Sequence, residues 1–107
     1  MNIVLRVSAC LLWVGAAAYA SAQQPAASAY KTNCAPCHGA TGDANTPAGK
    51  TFKVPSFSSD VVLKEPDAHL LQVAKDGKGK MPAWHDKLSE DQLKDLITYI
   101  HTLQKKS

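Results

Sequence analysis

The sequence predicts an all-α domain of about three to four helices wrapped around a body that is not protein, and three observations predict it. No stretch alternates apolar and polar residues as a half-buried strand does, whereas Leu93, Leu96, Ile97, Ile100 and Leu103 recur at helical spacing. Residues 39–49 are dense in turn formers and carry no apolar period, as expected of a loop that does not rest on a protein core. The segment Cys34-Ala35-Pro36-Cys37-His38 then says what the body is. Positions three and four apart share a helix face, so two thiols and an imidazole point into one pocket from a single turn. C-x-x-C-H is the attachment signature of a c-type haem, in which the thiols bond to the two vinyl groups and the imidazole reaches the iron.

Taken in order, residues 1–22 read as a cleaved secretion signal. Asn2 to Arg6 give a short positive start, Val7 to Ala18 an apolar run, and Ala18-Tyr19-Ala20 or Ala20-Ser21-Ala22 a small-residue cleavage site. The run is too short for a confident membrane span. Val7-Ser8-Ala9-Cys10 has the look of a lipoprotein box, but such a box closes an apolar run and this one opens it. Residues 23–107 form the domain. An Ala-rich stretch passes from a loose tail into a helix through Tyr30 to Cys34, with Ala26 and Tyr30 on one face. Phe52, Val54 and Phe57 are the apolar anchors of the next segment, and Pro55 argues against a regular helix there.

Pro66-Asp67 suits a helix start, with Leu70, Val73 and Ala74 as its apolar face and Gly77 as its stop. The last helix is the best specified. Ser89 caps it, Gln92 completes a capping box, and Leu88 staples to Leu93. Lys105 and Lys106 complement its C-terminus from a solvated end.

Cutting the 107-residue chain after Ala22 leaves 85 residues, one small domain of the size that commonly needs a metal, staple or cofactor. Cys34 and Cys37 are then the only cysteines, so no further disulfide is available. Export agrees with the motif, because bacterial c-type haem is attached outside the cytoplasm. The formal net charge of +3 falls to +2 when Arg6 leaves with the signal, too weak to suggest nucleic acid. A redox dithiol is a poorer reading of the motif, since that chemistry sits in a strand-and-helix framework. Zinc is poorer too, because no second paired-ligand motif follows.

His38 is the expected proximal ligand. On the opposite face Met81 is the only methionine left once Met1 departs, and it lies between a Gly-rich turn and Pro82 rather than on an apolar stripe. His69, His85 and His101 are its rivals, each reading as a surface histidine, with His85 four residues past Met81 the one to watch. Bis-histidine ligation lowers the reduction potential, whereas a thioether favours the reduced iron. Two filled axial positions leave small molecules little access to the metal, which argues against oxygen activation.

With these residues in view, the chain resembles a monohaem class I cytochrome c, of the short soluble c6-like or c553-like kind found in photosynthetic and respiratory electron transfer. The likeness covers essentially all of the mature chain. It rests on Cys34-Ala-Pro-Cys-His38, on Met81-Pro82-Ala83-Trp84 as the sixth-ligand segment, and on Lys87 to Leu93 as the start of the last helix. The resemblance implies that Tyr30 packs with Ala26 against the terminal helix at Leu96 and Tyr99. It also implies that the Pro47 carbonyl accepts the His38 imidazole proton, which orients the ring and raises its basicity. Trp84 stands where the family often has Phe.

The expected function is a soluble periplasmic one-electron carrier and not an enzyme, monomeric, with one haem c held through Cys34 and Cys37. Its partners are a redox protein donor and acceptor with acidic docking surfaces, met by Lys50, Lys53, Lys75, Lys78, Lys80 and Lys87 around the haem edge. The alternatives are a haem peroxidase or ligand sensor in which Met81 dissociates, and an electron-transfer subunit fixed to a dehydrogenase.

Overall fold

A computed structural model of the chain describes residues 24–105. The signal expected over 1–22 and the terminal Lys106 and Ser107 lie outside the described residues. Among the described residues six helices follow one another: α1 (Ala26–Asn33), α2 (Ala35–His38), α3 (Pro47–Thr51), α4 (Asp60–Leu63), α5 (Asp67–Asp76) and α6 (Glu90–Gln104). The excess over the expected three to four comes from α2, α3 and α4, which are 4, 5 and 4 residues long. One turn is too short to display a helical period, so hydropathy does not reveal it.

Pro25 leads into α1, and the Ala29 N–H bonds back to its carbonyl at 3.0 Å. The helix runs almost without interruption into α2, since the Cys34 N–H still bonds to the Tyr30 carbonyl at 2.8 Å and that of His38 to Cys34 at 2.9 Å. Pro36 is tolerated in the first turn of α2, where its missing N–H has no partner to lose. Further along, α5 spans the residues that Pro66 and Gly77 delimit in the sequence. At α6 both halves of the capping box form, Gln92 N–H to Ser89 Oγ at 3.1 Å and Ser89 N–H to Gln92 Oε1 at 2.8 Å.

Helix α6 packs against both α1 and α5, α1 continues onto α2, and α2 onto α3. The core is Ala29, Tyr30, Phe57, Leu93, Leu96 and Leu103, with Leu71, Ala74, Trp84, Leu88, Tyr99 and Ile100 half-buried around it. Leu93 is 1% exposed, and burying such a side chain contributes about 1.5–3 kcal/mol. Tyr30 meets Tyr99 with ring centroids 5.2 Å apart and Leu96 lies in the same cluster, as the resemblance implies. Its small partner differs from the expected one: Ala29 is buried in the core and Ala26 only half-buried. No residue of α5 is fully buried, although Leu70, Leu71, Val73 and Ala74 lie along it. Phe57 is buried while Phe52 remains 48% exposed. Among the described residues no helix is long and apolar enough to cross a membrane.

Candidate cofactor-attachment site

The two ends of one short helix carry the donor groups. Cys34 caps α2 and His38 closes it, so local backbone bonds set the spacing of Cys34, Cys37 and His38. Both thiols are half-buried and neither is in a disulfide. Burial, with a smaller contribution from neighbouring Cys37, pushes the Cys34 thiol up to about 11. Burial also pushes the His38 imidazole below its ordinary value, which keeps the ring neutral.

The carbonyls at the end of α2 are each taken up. Thr46 donates its hydroxyl to the Cys37 carbonyl at 2.7 Å, the Ala44 N–H donates to His38 at 2.7 Å, and the Tyr30 hydroxyl donates to Gly39 at 2.6 Å. Thr46 also caps α3 by accepting from the Gly49 N–H at 2.8 Å. One hydroxyl thus fixes the start of α3, where Pro47 stands, to the residue before His38. The loop 39–49 is therefore organised by polar bonds to the motif, which is why it carries no apolar period.

His38 stacks on Phe57, ring centroids 4.6 Å apart and planes 19° from parallel. Its Nδ1 is buried and has no hydrogen-bond partner among the described residues. The bond assigned by resemblance to the Pro47 carbonyl is thus not made, and Pro47 itself is exposed. A buried polar atom without a partner is costly, so this nitrogen marks a site that the protein side chains leave incomplete.

Met81 sits in a tight turn folded back on the end of α5. Lys78 and Met81 exchange backbone bonds at 3.1 and 2.9 Å, and the Trp84 and His85 N–H groups bond to the Ala74 and Lys75 carbonyls at 3.1 and 3.2 Å. Gly77 permits that approach. A Cβ there would lie 2.6 Å from the Met81 carbonyl oxygen.

The rival histidines are engaged elsewhere. His69 pairs with Glu65, His85 Nδ1 lies 2.9 Å from Asp86, and His101 bonds to Asp67 and Gln104 at 2.7 Å each. The lysines are not equivalent either. Lys75 lies 3.8 Å from Glu90 and Lys87 rests over the Trp84 ring at 5.3 Å, while Lys50, Lys53, Lys78 and Lys80 are exposed. Hydropathy marks Phe57 only as an apolar anchor. Its stacking on His38 depends on a chain reversal between them that no local pattern records.

The residues fit a c-type haem. Among the described residues no three His, Cys, Asp or Glu groups converge on a metal ion. A porphyrin brings four nitrogens of its own and asks the protein only for axial donors and thiols, which is the donor set present. A neutral, half-buried imidazole and two half-buried thiols one turn apart match that requirement.

Comparison with known proteins agrees. The family described as cytochrome C oxidase, cbb3-type, subunit III matches residues 21–100. The subunit CcoP of Azospirillum brasilense is 33% identical over 86 residues, covering 78% of this chain but 29% of CcoP, so the chain spans under a third of that relative. Cytochrome c6 of Synechococcus sp. is 32% identical over 88 residues, covering 82% of this chain and 76% of the relative. The solved KustC0563 c-type cytochrome superposes with a TM-score of 0.69 over 76% of this chain and 99% of its own, at 20% identity, a likeness of fold.

Proposed function

Because the chain belongs to the c-type cytochromes, in the family of cytochrome C oxidase, cbb3-type, subunit III, we propose that it is a soluble periplasmic one-electron carrier whose iron is bound by His38 and Met81. Haem c, covalently bound, is the cofactor of a monohaem class I, c6-like cytochrome, and Cys34 and Cys37 stand in the attachment positions. When bound it supplies a metal centre that changes charge by one electron. The chain's own residues hold it and close it off.

The observation that carries this reading is the half-buried, neutral His38, stacked on Phe57 with its Nδ1 buried and lacking a partner. The bond from Nδ1 to the Pro47 carbonyl is not formed in this structure; one residue past the Thr46 tie, that carbonyl is the acceptor we assign to the nitrogen in the haem-loaded protein, where it would fix the ring for its metal. Met81 is supported as the distal ligand by its turn, closed by two backbone bonds between Lys78 and Met81 and pinned to the end of α5 by two more, from Trp84 and His85. All three rival histidines have carboxylate partners instead. A closed iron suits transfer through the haem edge, and exposed Lys50, Lys53, Lys78 and Lys80 suit an acidic partner.

A second reading, an electron-transfer subunit fixed within a larger complex, is favoured by the likeness to CcoP and FixP subunits. Copurification separates it from a free carrier. The test of the carrier is stopped-flow electron transfer to an acidic redox protein at rising salt, alongside peroxide consumption. Transfer should slow as salt shortens the screening length from about 8 Å at physiological ionic strength, and peroxide turnover should be negligible. Rapid, saturable peroxide consumption with Met81 intact would assign an enzyme instead. Salt-independent transfer would remove the lysines from docking.

A further inference from the structure

A chain of hydrogen bonds crosses the domain from the start of α5 to the back of the His38 stack. Asp67 Oδ1 lies 2.7 Å from His101 Nε2, His101 Nδ1 lies 2.7 Å from Gln104 Oε1, and Gln104 Nε2 donates to the Phe57 carbonyl at 2.9 Å. The Phe57 ring then stacks on His38 at 4.6 Å. The chemistry of the chain has one consistent assignment. Donation to the Phe57 carbonyl orients the Gln104 amide, so its oxygen faces Nδ1 and Nδ1 must carry a proton. A carboxylate faces Nε2, and it too can only accept. Both ring nitrogens therefore donate, which requires the imidazolium.

We infer that Asp67, His101 and Gln104 form a proton-operated latch that sets how Phe57 seats on His38, making the reduction potential of the haem-loaded protein depend on pH. This rests on the proposal that His38 binds the iron, and it assigns that site its regulation. The charged groups acting on His101 are Asp67 from α5 and Lys105 just past the end of α6, with Gln104 as the neutral partner. Lys31, the one charge on α1, is not among them, and the Phe57 segment presents a backbone carbonyl. The hydrogen bonds to Gln104 and Asp67 hold the imidazole above its ordinary value, in agreement with the geometry.

Loss of the proton leaves one ring nitrogen as a lone pair facing an acceptor oxygen, so one of the two bonds must break and the hold on Gln104 loosens. Electron uptake removes one positive charge from the loaded protein, and the reduced form should then bind the His101 proton more tightly. By reciprocity the protonated form should take up the electron more readily. One electron is gained together with a fraction of one proton, drawn from water and carried on the ring.

The experiment is potentiometry of the haem-loaded protein from roughly pH 5 to 9, with NMR titration of His101 in both oxidation states. A twofold difference in proton affinity between those states corresponds to about 18 mV, at 59 mV per tenfold for one electron. Wild type should show an inflection at the pH where His101 titrates, and His101→Gln should abolish it. Asp67→Asn should move it to lower pH. Gln104→Ala keeps the charge pair and cuts the connection to Phe57, so His101 should still titrate while the inflection shrinks. An inflection that survives His101→Gln belongs to another group, and one unchanged by Gln104→Ala acts through space alone; either overturns the latch. A flat wild-type profile with a normal haem spectrum overturns the latch and leaves the carrier standing, whereas failure to attach haem at Cys34 and Cys37 removes both.

Discussion

Two glycines in one turn offer a controlled perturbation of the Met81 segment. Gly77 has φ 78° and ψ 169°, a region that is essentially restricted to glycine and costs other residues about 1–3 kcal/mol. An added Cβ would also lie 2.6 Å from the Met81 oxygen, 2.9 Å from the Ala83 nitrogen and 3.0 Å from the Pro82 carbonyl carbon. All three are backbone atoms, so relief requires the segment itself to move off α5. Gly79 has φ +59° and meets nothing within 4 Å. Its replacement by Ala carries only the left-handed penalty of about 1 kcal/mol. Gly77→Ala should therefore cost about 2 kcal/mol or more, which for a domain of this size lowers the melting temperature by about 8–16 °C, and Gly79→Ala about half as much. Thermal melts of the haem-loaded proteins give the stabilities, and the weak red band of methionine-bound ferric haem tests the ligation proposed for Met81. Gly77→Ala should lose that band first. If both variants melted together with the band intact, the close approach of 81–83 to α5 would not be what holds Met81.

Three further outcomes follow from single contacts. Tyr30→Phe removes the 2.6 Å bond to the Gly39 carbonyl, which keeps a second donor in the Gly42 N–H at 3.1 Å, so denaturant unfolding should show a loss of about 1 kcal/mol and no more. Ser89→Ala breaks the capping box and should cost about 1 kcal/mol by the same measurement, with the haem spectrum unchanged. The folded pKa of His101 lies above the ordinary 6.5 because of Gln104 and Asp67, so its contribution to stability is complete below about pH 6.5 and is lost as pH rises through the raised value. Urea midpoints of wild type and His101→Gln should accordingly differ most in mild acid and converge in alkali.

The motif, α5, α6 and the capping box were legible in the sequence because each is written in residues close together. Pro66, Gly77, Ser89 and Gln92 act within a turn of where they stand. What the sequence did not show depends on chain reversal. The short helices α3 and α4 exist because Thr46 caps one and the turn at Ser59 starts the other, with no apolar stripe to announce them. Ala29 rather than Ala26 fills the core beside Tyr30, since the crossing of α1 over α6 decides which of two small residues faces inward. The stacking of Phe57 on His38 and the reach of Gln104 to Phe57 join distant segments, and only the folded chain brings them together.

Burial of the Cys34 thiol has a consequence for the order of events in making this protein. Folded, the thiol is pushed from 9.0 to about 11, so at neutral pH its reactive thiolate is about a hundredfold scarcer than in an open chain. The motif is complete within five residues, whereas α1 must wait for α6, near the far end of the domain, before it can pack. A chain that has not yet folded therefore presents the motif early, with the Cys34 sulfur unburied and at its most reactive, before the helix that will enclose it has packed. Bond formation at the sulfurs is chemically easiest in that interval, and the subsequent closing of α6 over α1 seals what has already been joined.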